Sequence, residues 1–348
     1  MDNPGGEDVQ AERARSLVVE AAEAGLRADR FLANRLGITR SQVRRLLARG
    51  GVRLDGRRLS AGDKGLALPI GGQLEVETFR VREEQRVPSE AGVLRESQAP
   101  GSGPVLLGAG PGWLAVDKPA GMPVHPLEED ETGTVLGAVV AQYPGLQGVG
   151  EGGLRSGVVH RLDVDTSGVL LVATAQPAWE RLRAAFRDHR VEKTYRALVI
   201  GHFPAEARSR PVQCEFGLVV AQHHPARVKV VAGAAGRKTA GVRRVRQSIR
   251  LVEHLRGASL LELKPVTGFL HQIRATLAHL GHPVLGDVVY GGEFGSEGSS
   301  PQESEHESDG LAGVRRHLLH AARLGFEEIR AESPDPEDFR EILERLRR

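Results

Sequence analysis

The sequence predicts an α+β protein in two parts, a small N-terminal α/β domain followed by a larger one built on a sheet flanked by helices. Three observations carry this expectation. The 348-residue chain is longer than a typical single domain. Strand-like and helix-like segments follow one another irregularly rather than as repeated βαβ units. A polar stretch at 79–103, with Glu83, Glu84, Pro88, Pro100, Gly101 and Gly103, reads as a linker between two patterned regions.

Residues 1–17 show no sustained periodicity and read as a disordered tail. Phe31, Leu32 and Leu36 mark a short helix that Gly37 ends, and Thr39 with Gln42 has the spacing of a capping box that opens a second. On a wheel of about 100° per residue, Val43, Leu46 and Leu47 fall within roughly 240–340° of Arg40, whereas Arg40, Arg44, Arg45 and Arg49 spread over roughly 0–180°. One face of this helix is therefore core and the other cationic. Gly50-Gly51 stops it, and strands are expected at 52–57 and 73–77, completing a unit over 18–78.

The larger domain, 104–348, opens with a hairpin, Val105-Leu106-Leu107 and Trp113-Leu114-Ala115-Val116 around a glycine-rich turn. Strands follow at 168–173, 194–200 and 259–263, with helices near 178–188 and 271–279. Residues 293–310 hold six acids among serines and glycines, with no basic residue, and read as a mobile insertion loop.

The net charge of +2 conceals segregation. Between Arg40 and Arg58 stand seven arginines and one acid, and between Pro225 and Arg250 eight basic residues and no acid. Two such surfaces suit a polyanionic partner. The single cysteine, Cys214, excludes an internal disulfide and a cysteine-rich zinc site, so a reducing cytoplasmic location is expected. The N-terminus lacks the pattern of a signal peptide, and the sequence holds no apolar run long enough to cross a bilayer, so no membrane association is expected.

Chemistry concentrates in Ser156–Thr174, where two apolar runs flank the polar turn His160-Arg161-Leu162-Asp163-Val164-Asp165-Thr166-Ser167. From the residues alone, Asp163 is either a nucleophile or general base beside Arg161, or a turn residue whose neighbours Thr166 and Ser167 bond the local backbone.

The run from His160 to Gly168 resembles the central motif of the RluA-type pseudouridine synthases. Three further blocks match in order: Asp117-Lys118-Pro119-Ala120-Gly121-Met122-Pro123-Val124-His125-Pro126, Glu192-Lys193-Thr194-Tyr195-Arg196-Ala197-Leu198-Val199, and Thr267–Arg274 continuing to Gly281–Asp287. Leu318-Leu319-His320-Ala321 is similar as well. The resemblance implies a central mixed, mostly antiparallel sheet and a cofactor-free, metal-free isomerisation of uridine to pseudouridine in RNA. Asp163 would break the bond between uracil and ribose, attacking either the sugar or the ring, and the base would leave its stack. It further implies that Tyr195 stacks on the flipped base, with a hydroxyl that can assist proton removal from carbon 5, and that Arg274 pairs with Asp163. Arg161 would fill the vacated space, with His160 and Thr166 contributing to RNA binding. The chain departs from the family at Phe269-Leu270, where Arg-Thr or Arg-Ser is usual.

Residues Arg27–Leu32, Thr39–Leu47 and Gly50–Gly56 resemble the alpha-L RNA-binding domain, a module named for a small-subunit ribosomal protein, although Gly71-Gly72 replaces its usual Gly-Asp. Arg40, Arg44, Arg45 and Arg49 would then contact RNA. The pairing of this module with such a catalytic domain implies large-subunit ribosomal RNA as substrate, with transfer RNA as the alternative, and a monomer is expected. Three rival readings stand beside this one. They are an N-glycosidase using Asp163 and Asp165 as a carboxylate pair, a metal site from His271, His279 and His282 with Asp287 nearby, and a non-catalytic RNA-binding protein on the same fold.

Overall fold

A computed structural model of the chain describes residues 15–37, 40–77, 86–89, 94, 103–223, 226–231, 241–291 and 314–348. Two compact units are present, Met1–Arg86 and Val87–Arg348. Residues 1–14 of the expected tail, Thr39 and the acidic segment 293–310 lie outside the described residues.

In the first unit, strands β1 (Arg15–Val18), β2 (Val52–Leu54), β3 (Arg57–Arg58) and β4 (Gln73–Val76) form an antiparallel sheet in the order β1-β4-β2-β3, with helices α1 (Ala28–Leu36) and α2 (Arg40–Ala48). Phe31, Leu32, Leu36, Val43, Leu46 and Leu47 are buried together with Leu74 and Val76. Arg44 of α2 and Arg49 just after it are exposed, as a helix with one apolar stripe requires. The side chains of Arg40 and Arg45 lie outside what the structure describes. Gly37 ends α1 in the left-handed conformation, its N–H donating to the Ala33 carbonyl. Residues 15–17, expected in the tail, instead pair with β4, Leu17 opposite Leu74. Four residues are too short a run for alternation to register in the sequence.

In the second unit, ten strands make one sheet among the described residues. They are β5 (Val105–Gly110), β6 (Trp113–Lys118), β7 (Ser167–Ala173), β8 (Glu192–Ile200), β9 (Val212–His223), β10 (Ala226–Val231), β11 (Arg243–Leu255), β12 (Ala258–Pro265), β13 (Leu319–Phe326) and β14 (Ile329–Glu332). The order is β10-β9-β11-β12-β8-β13-β7-β6-β5, with β14 on β13. The β13–β7 pair is parallel and the other pairs are antiparallel, giving the mixed, mostly antiparallel sheet. Helices α3 (Val135–Gln142), α4 (Gln176–Arg187), α5 (Gln272–His279) and α6 (Glu337–Arg347) belong to the same unit.

All seven residues of β7 are buried. Val169, Leu171 and Ala173 enter one cluster with Leu182 and Ala185 of α4, while Leu170 and Val172 enter another with Leu136 and Val139 of α3. A strand covered on both faces reads as an unbroken apolar run, which is what Gly168–Ala173 is. Across the sheet, Leu263, Tyr195, Ala321, Gly168 and Lys118 lie in one register row over five adjacent strands. Gly168 is required there, because its φ is 112° and a Cβ would lie 2.2 Å from the Ala321 carbonyl oxygen.

The expected linker is in part a strap. Val87 and Leu94 are buried in the second unit. The Gln147 amide exchanges hydrogen bonds with the Val87 backbone, and Gln142 donates to the Leu94 carbonyl. Two isolated apolar residues in polar sequence give no periodic signal, so this attachment was not foreseen.

Candidate active site

The turn carrying Asp163 runs directly into β7, so the most buried strand of the sheet anchors its C-terminal end. Four contacts hold the turn's backbone and polar groups. Lys118 Nζ, wholly buried, donates to the carbonyls of Pro119, Met122 and Val164 at 2.8, 2.7 and 2.6 Å. Arg316 Nη1 donates to the Asp165 carbonyl at 3.1 Å, and its Nε and Nη2 are held by Asp338. Thr166 Oγ1 lies 2.8 Å from His317 Nε2, and Ser167 Oγ lies 3.0 Å from His320 Nδ1. Burial pushes the Lys118 pKa down to about 7, adjacent acids opposing the shift. The three carbonyls use all three N–H bonds of the ammonium form.

Asp163 projects from this turn with its side chain 25% exposed. Arg274, from the first turn of α5, donates from Nη1 to Asp163 Oδ2 at 3.1 Å. The guanidinium is locked on its other edge by Asp287, Nε to Oδ2 at 2.6 Å and Nη2 to Oδ1 at 2.8 Å. Asp287 Oδ1 also accepts the N–H groups of Val289 and Tyr290. A buried guanidinium shared by two carboxylates keeps its proton: burial opposes the charge, but Asp287 and Asp163 together raise its pKa. Asp163 Oδ1 accepts no hydrogen bond among the described residues. The site thus presents a carboxylate with one oxygen held and the other free, the arrangement a nucleophile needs.

Tyr195 on β8 reaches the same site through the register row. Burial and the Asp163 charge both push its hydroxyl pKa up. The phenol therefore stays protonated. Arg161, two residues from Asp163, is exposed and makes no hydrogen bond or ion pair among the described residues.

Two expected RNA-binding residues, His160 and Thr166, have internal partners. His160 Nε2 accepts the Leu171 N–H at 2.9 Å, and its ring stacks on Phe186 at 4.4 Å. Burial, aided by the charges of Lys193 and Arg183, pushes its pKa down to about 3, so the ring stays neutral and braces β7. Thr166 is buried on His317. Both lie beside Asp163 in sequence, but at the entry to a buried strand polar side chains must satisfy backbone and one another.

The rival sites do not assemble. Asp163 and Asp165 lie in a turn before β7 rather than on one strand face. His271 bonds Tyr290, His279 packs edge-on to Phe216, and His282 bonds the Ile200 carbonyl. Among the described residues no group of three or more His, Cys, Asp or Glu side chains converges as a metal site. Phe269 and Leu270 pack with Leu218, Val228, Val245 and Tyr290.

The family model described as RNA pseudouridylate synthase matches residues 112–279, which contain Asp163, Tyr195 and Arg274. Ribosomal large subunit pseudouridine synthase D of Zymomonas mobilis is 38% identical over 214 residues, 61% of either chain. An uncharacterized RNA pseudouridine synthase of Chloroflexus aurantiacus is 31% identical, with 99% of this chain and 98% of that one covered. The chain belongs to the RluA-type RNA pseudouridine synthases. It is an isomerase that converts uridine in RNA to pseudouridine.

The synthase also shares its fold with human RNA pseudouridylate synthase domain containing 4, with a TM-score of 0.53 at 22% identity over 70% of this chain and 92% of that one. No helix among the described residues is long and apolar enough to cross a membrane. Several residues of the synthase's site escaped sequence reasoning. Lys118 and Asp287 lie within matched blocks, which was the available signal, yet neither was given its role. Arg316, His317 and Tyr290 are separated from Asp163 by more than a hundred residues, and only folding brings them to the turn.

Proposed function

We propose that this synthase acts on large-subunit ribosomal RNA through nucleophilic catalysis by Asp163. The observation that carries the proposal is the Asp163–Arg274–Asp287 chain, which holds Asp163 Oδ2 and leaves Oδ1 free. The target uridine leaves its stack, Arg161 occupies the vacancy, and the Tyr195 ring stacks on the extruded base. Asp163 Oδ1 forms a covalent bond to the sugar or to the ring, and that bond breaks again as the product forms, which returns the free carboxylate. The bond between N1 and C1′ breaks, the base turns, C5 bonds to C1′, and the C5 proton is lost while N1 gains one. Atoms balance without a cofactor. Arg161's lack of a hydrogen-bond or ion-pair partner among the described residues supports its role, since a cation that fills a vacancy in RNA must not already be paired.

The choice of RNA rests on two supports. One is the family relationship to proteins named as large-subunit ribosomal enzymes. The other is the first unit, read as an alpha-L-type RNA-binding domain over residues 18–78, which exposes Arg44 of α2 and Arg49 just after it beside a buried apolar stripe. Pseudouridine mapping in large-subunit ribosomal RNA and transfer RNA, from cells with and without the gene, tests the assignment. Sites lost from the large-subunit RNA support it. Losses confined to transfer RNA overturn it, and release of free uracil by the purified protein would favour the glycosidase.

A further inference from the structure

His271 is the second side chain that faces Asp163, with Nε2 3.9 Å from the same Oδ2 that Arg274 holds. Its other nitrogen, Nδ1, lies 3.1 Å from the Tyr290 hydroxyl. That hydroxyl is already an acceptor for the Val228 N–H at 2.9 Å. The Tyr290 ring is itself fixed, with its face beneath the guanidinium of Arg274 at 5.3 Å and near that of Arg227 at 5.9 Å. His271 also holds a left-handed backbone, φ 49° and ψ 22°, at the N-terminus of α5. A non-glycine residue in this region pays a conformational cost that persists only where its surroundings over-determine it, and such positions cluster at functional sites.

From this geometry we infer that His271 is a positioning residue for the reaction, its tautomer set by Tyr290 so that an Nε2–H is presented to Asp163 Oδ2. The Val228 N–H can only donate, so the hydroxyl receives from it, and in this assignment it gives its own proton to Nδ1. The opposite tautomer would leave the hydroxyl proton without an acceptor among the described residues and turn an Nε2 lone pair towards a carboxylate oxygen. The groups that face His271 are Asp163 from the turn, Arg274 on α5, Asp287 beyond it and Tyr290. Burial lowers the imidazole pKa, and Asp163 and Asp287 only partly offset it, so the ring is neutral and has one N–H to place.

The inference rests on the reading of Asp163 as nucleophile and deepens it. With Arg274 and His271 both directed at Oδ2, bond formation is confined to Oδ1. The charge that returns to the carboxylate when the covalent bond is released is met by donors already in position. The distance of 3.9 Å is longer than a hydrogen bond, and contacts of this kind commonly tighten once substrate is bound.

Nitrogen-15 labelling of histidine in the full chain reads the tautomer without turnover, and loss of one signal in His271→Gln assigns it. The Nε2–H form is expected in the wild type, with a shift towards mixed forms in Tyr290→Phe. Single-turnover rates at saturating RNA read the consequence. His271→Asn, a residue tolerated in left-handed backbone, should slow the reaction about tenfold with RNA affinity unchanged. His271→Gln, whose amide nitrogen replaces Nε2, should recover to within about threefold of wild type. An Nδ1–H tautomer in the wild type, an unchanged tautomer in Tyr290→Phe, or a wild-type rate in His271→Asn would overturn the inference. An active Asp163→Asn would overturn the underlying reading of the nucleophile instead, while leaving the tautomer result intact.

Discussion

Replacing Asp287 with asparagine should both destabilise the synthase and slow it, for separable reasons. The carboxylate is completely buried and accepts four hydrogen bonds, two from Arg274 and two from the N–H groups of Val289 and Tyr290. An asparagine Oδ1 can keep three of them, but its amide then meets the Arg274 Nε–H across what was a 2.6 Å contact, donor against donor. The guanidinium, 7% exposed, is left with Asp163 as its only carboxylate partner among the described residues. Removing one member of such a buried pair costs about 3–5 kcal/mol. In a domain of this size that corresponds to a melting temperature lower by roughly 6–20 °C. Freed from its brace, the guanidinium can close on both oxygens of Asp163, so tritium release from RNA containing 5-tritiated uridine should fall by more than about tenfold, measured well below the variant's melting point. A variant that melts like wild type would refute the brace. One that is destabilised yet turns over normally would refute its part in placing Arg274 for chemistry.

Other predictions follow from single groups. Tyr195→Phe should keep within about threefold of the wild-type rate and Tyr195→Ala lose about a hundredfold or more, if the ring rather than the hydroxyl is used; equal losses in the two would contradict this. Arg44→Glu with Arg49→Glu should weaken binding to large RNA and flatten its dependence on salt by up to about one log unit per lost phosphate contact, with little effect on a short substrate, and unchanged salt slopes would exclude α2 from the interface. Burial holds the His317 pKa down to about 4, against about 6.5 when unfolded. The unfolded chain therefore takes up a proton that the folded one refuses, so this contribution is complete above about pH 6.5 and is lost as pH falls towards about 4. Urea denaturation of wild type and His317→Gln at about pH 7 and 5 should differ in pH sensitivity by about 2 kcal/mol, and identical sensitivities would show that His317 does not remain neutral.

The parts of this site that could be read from sequence are those whose neighbours along the chain carry the pattern. Asp163, Tyr195 and Arg274 stand inside motif blocks, and the structure brings Asp163 onto Arg274 with Tyr195 in reach of its charge. The α2 stripe was legible because three apolar residues at helical spacing leave the arginines only one face. For His160 and Thr166, sequence shows that they adjoin Asp163, not that the buried start of β7 uses their polar atoms. The brace of Lys118, Arg316 and His317, and the Tyr290 hydroxyl, come from segments whose approach to the turn depends on register across the sheet. The parallel β13–β7 pair is the clearest case, since it joins residues about 150 positions apart that share no local pattern. Strand β11 was likewise hidden, because its arginines alternate with its buried Val245, Gln247 and Ile249 and dominate its composition.

The central claim is that the free oxygen of Asp163 performs the isomerisation. Asp163→Asn preserves the side chain's size and can keep a bond to Arg274 while removing the nucleophile, so it isolates chemistry from binding. Tritium release from 5-tritiated uridine in large-subunit ribosomal RNA should drop to background, at least about a thousandfold below wild type, with RNA affinity within about twofold. Release at the wild-type rate by the asparagine variant would contradict the account.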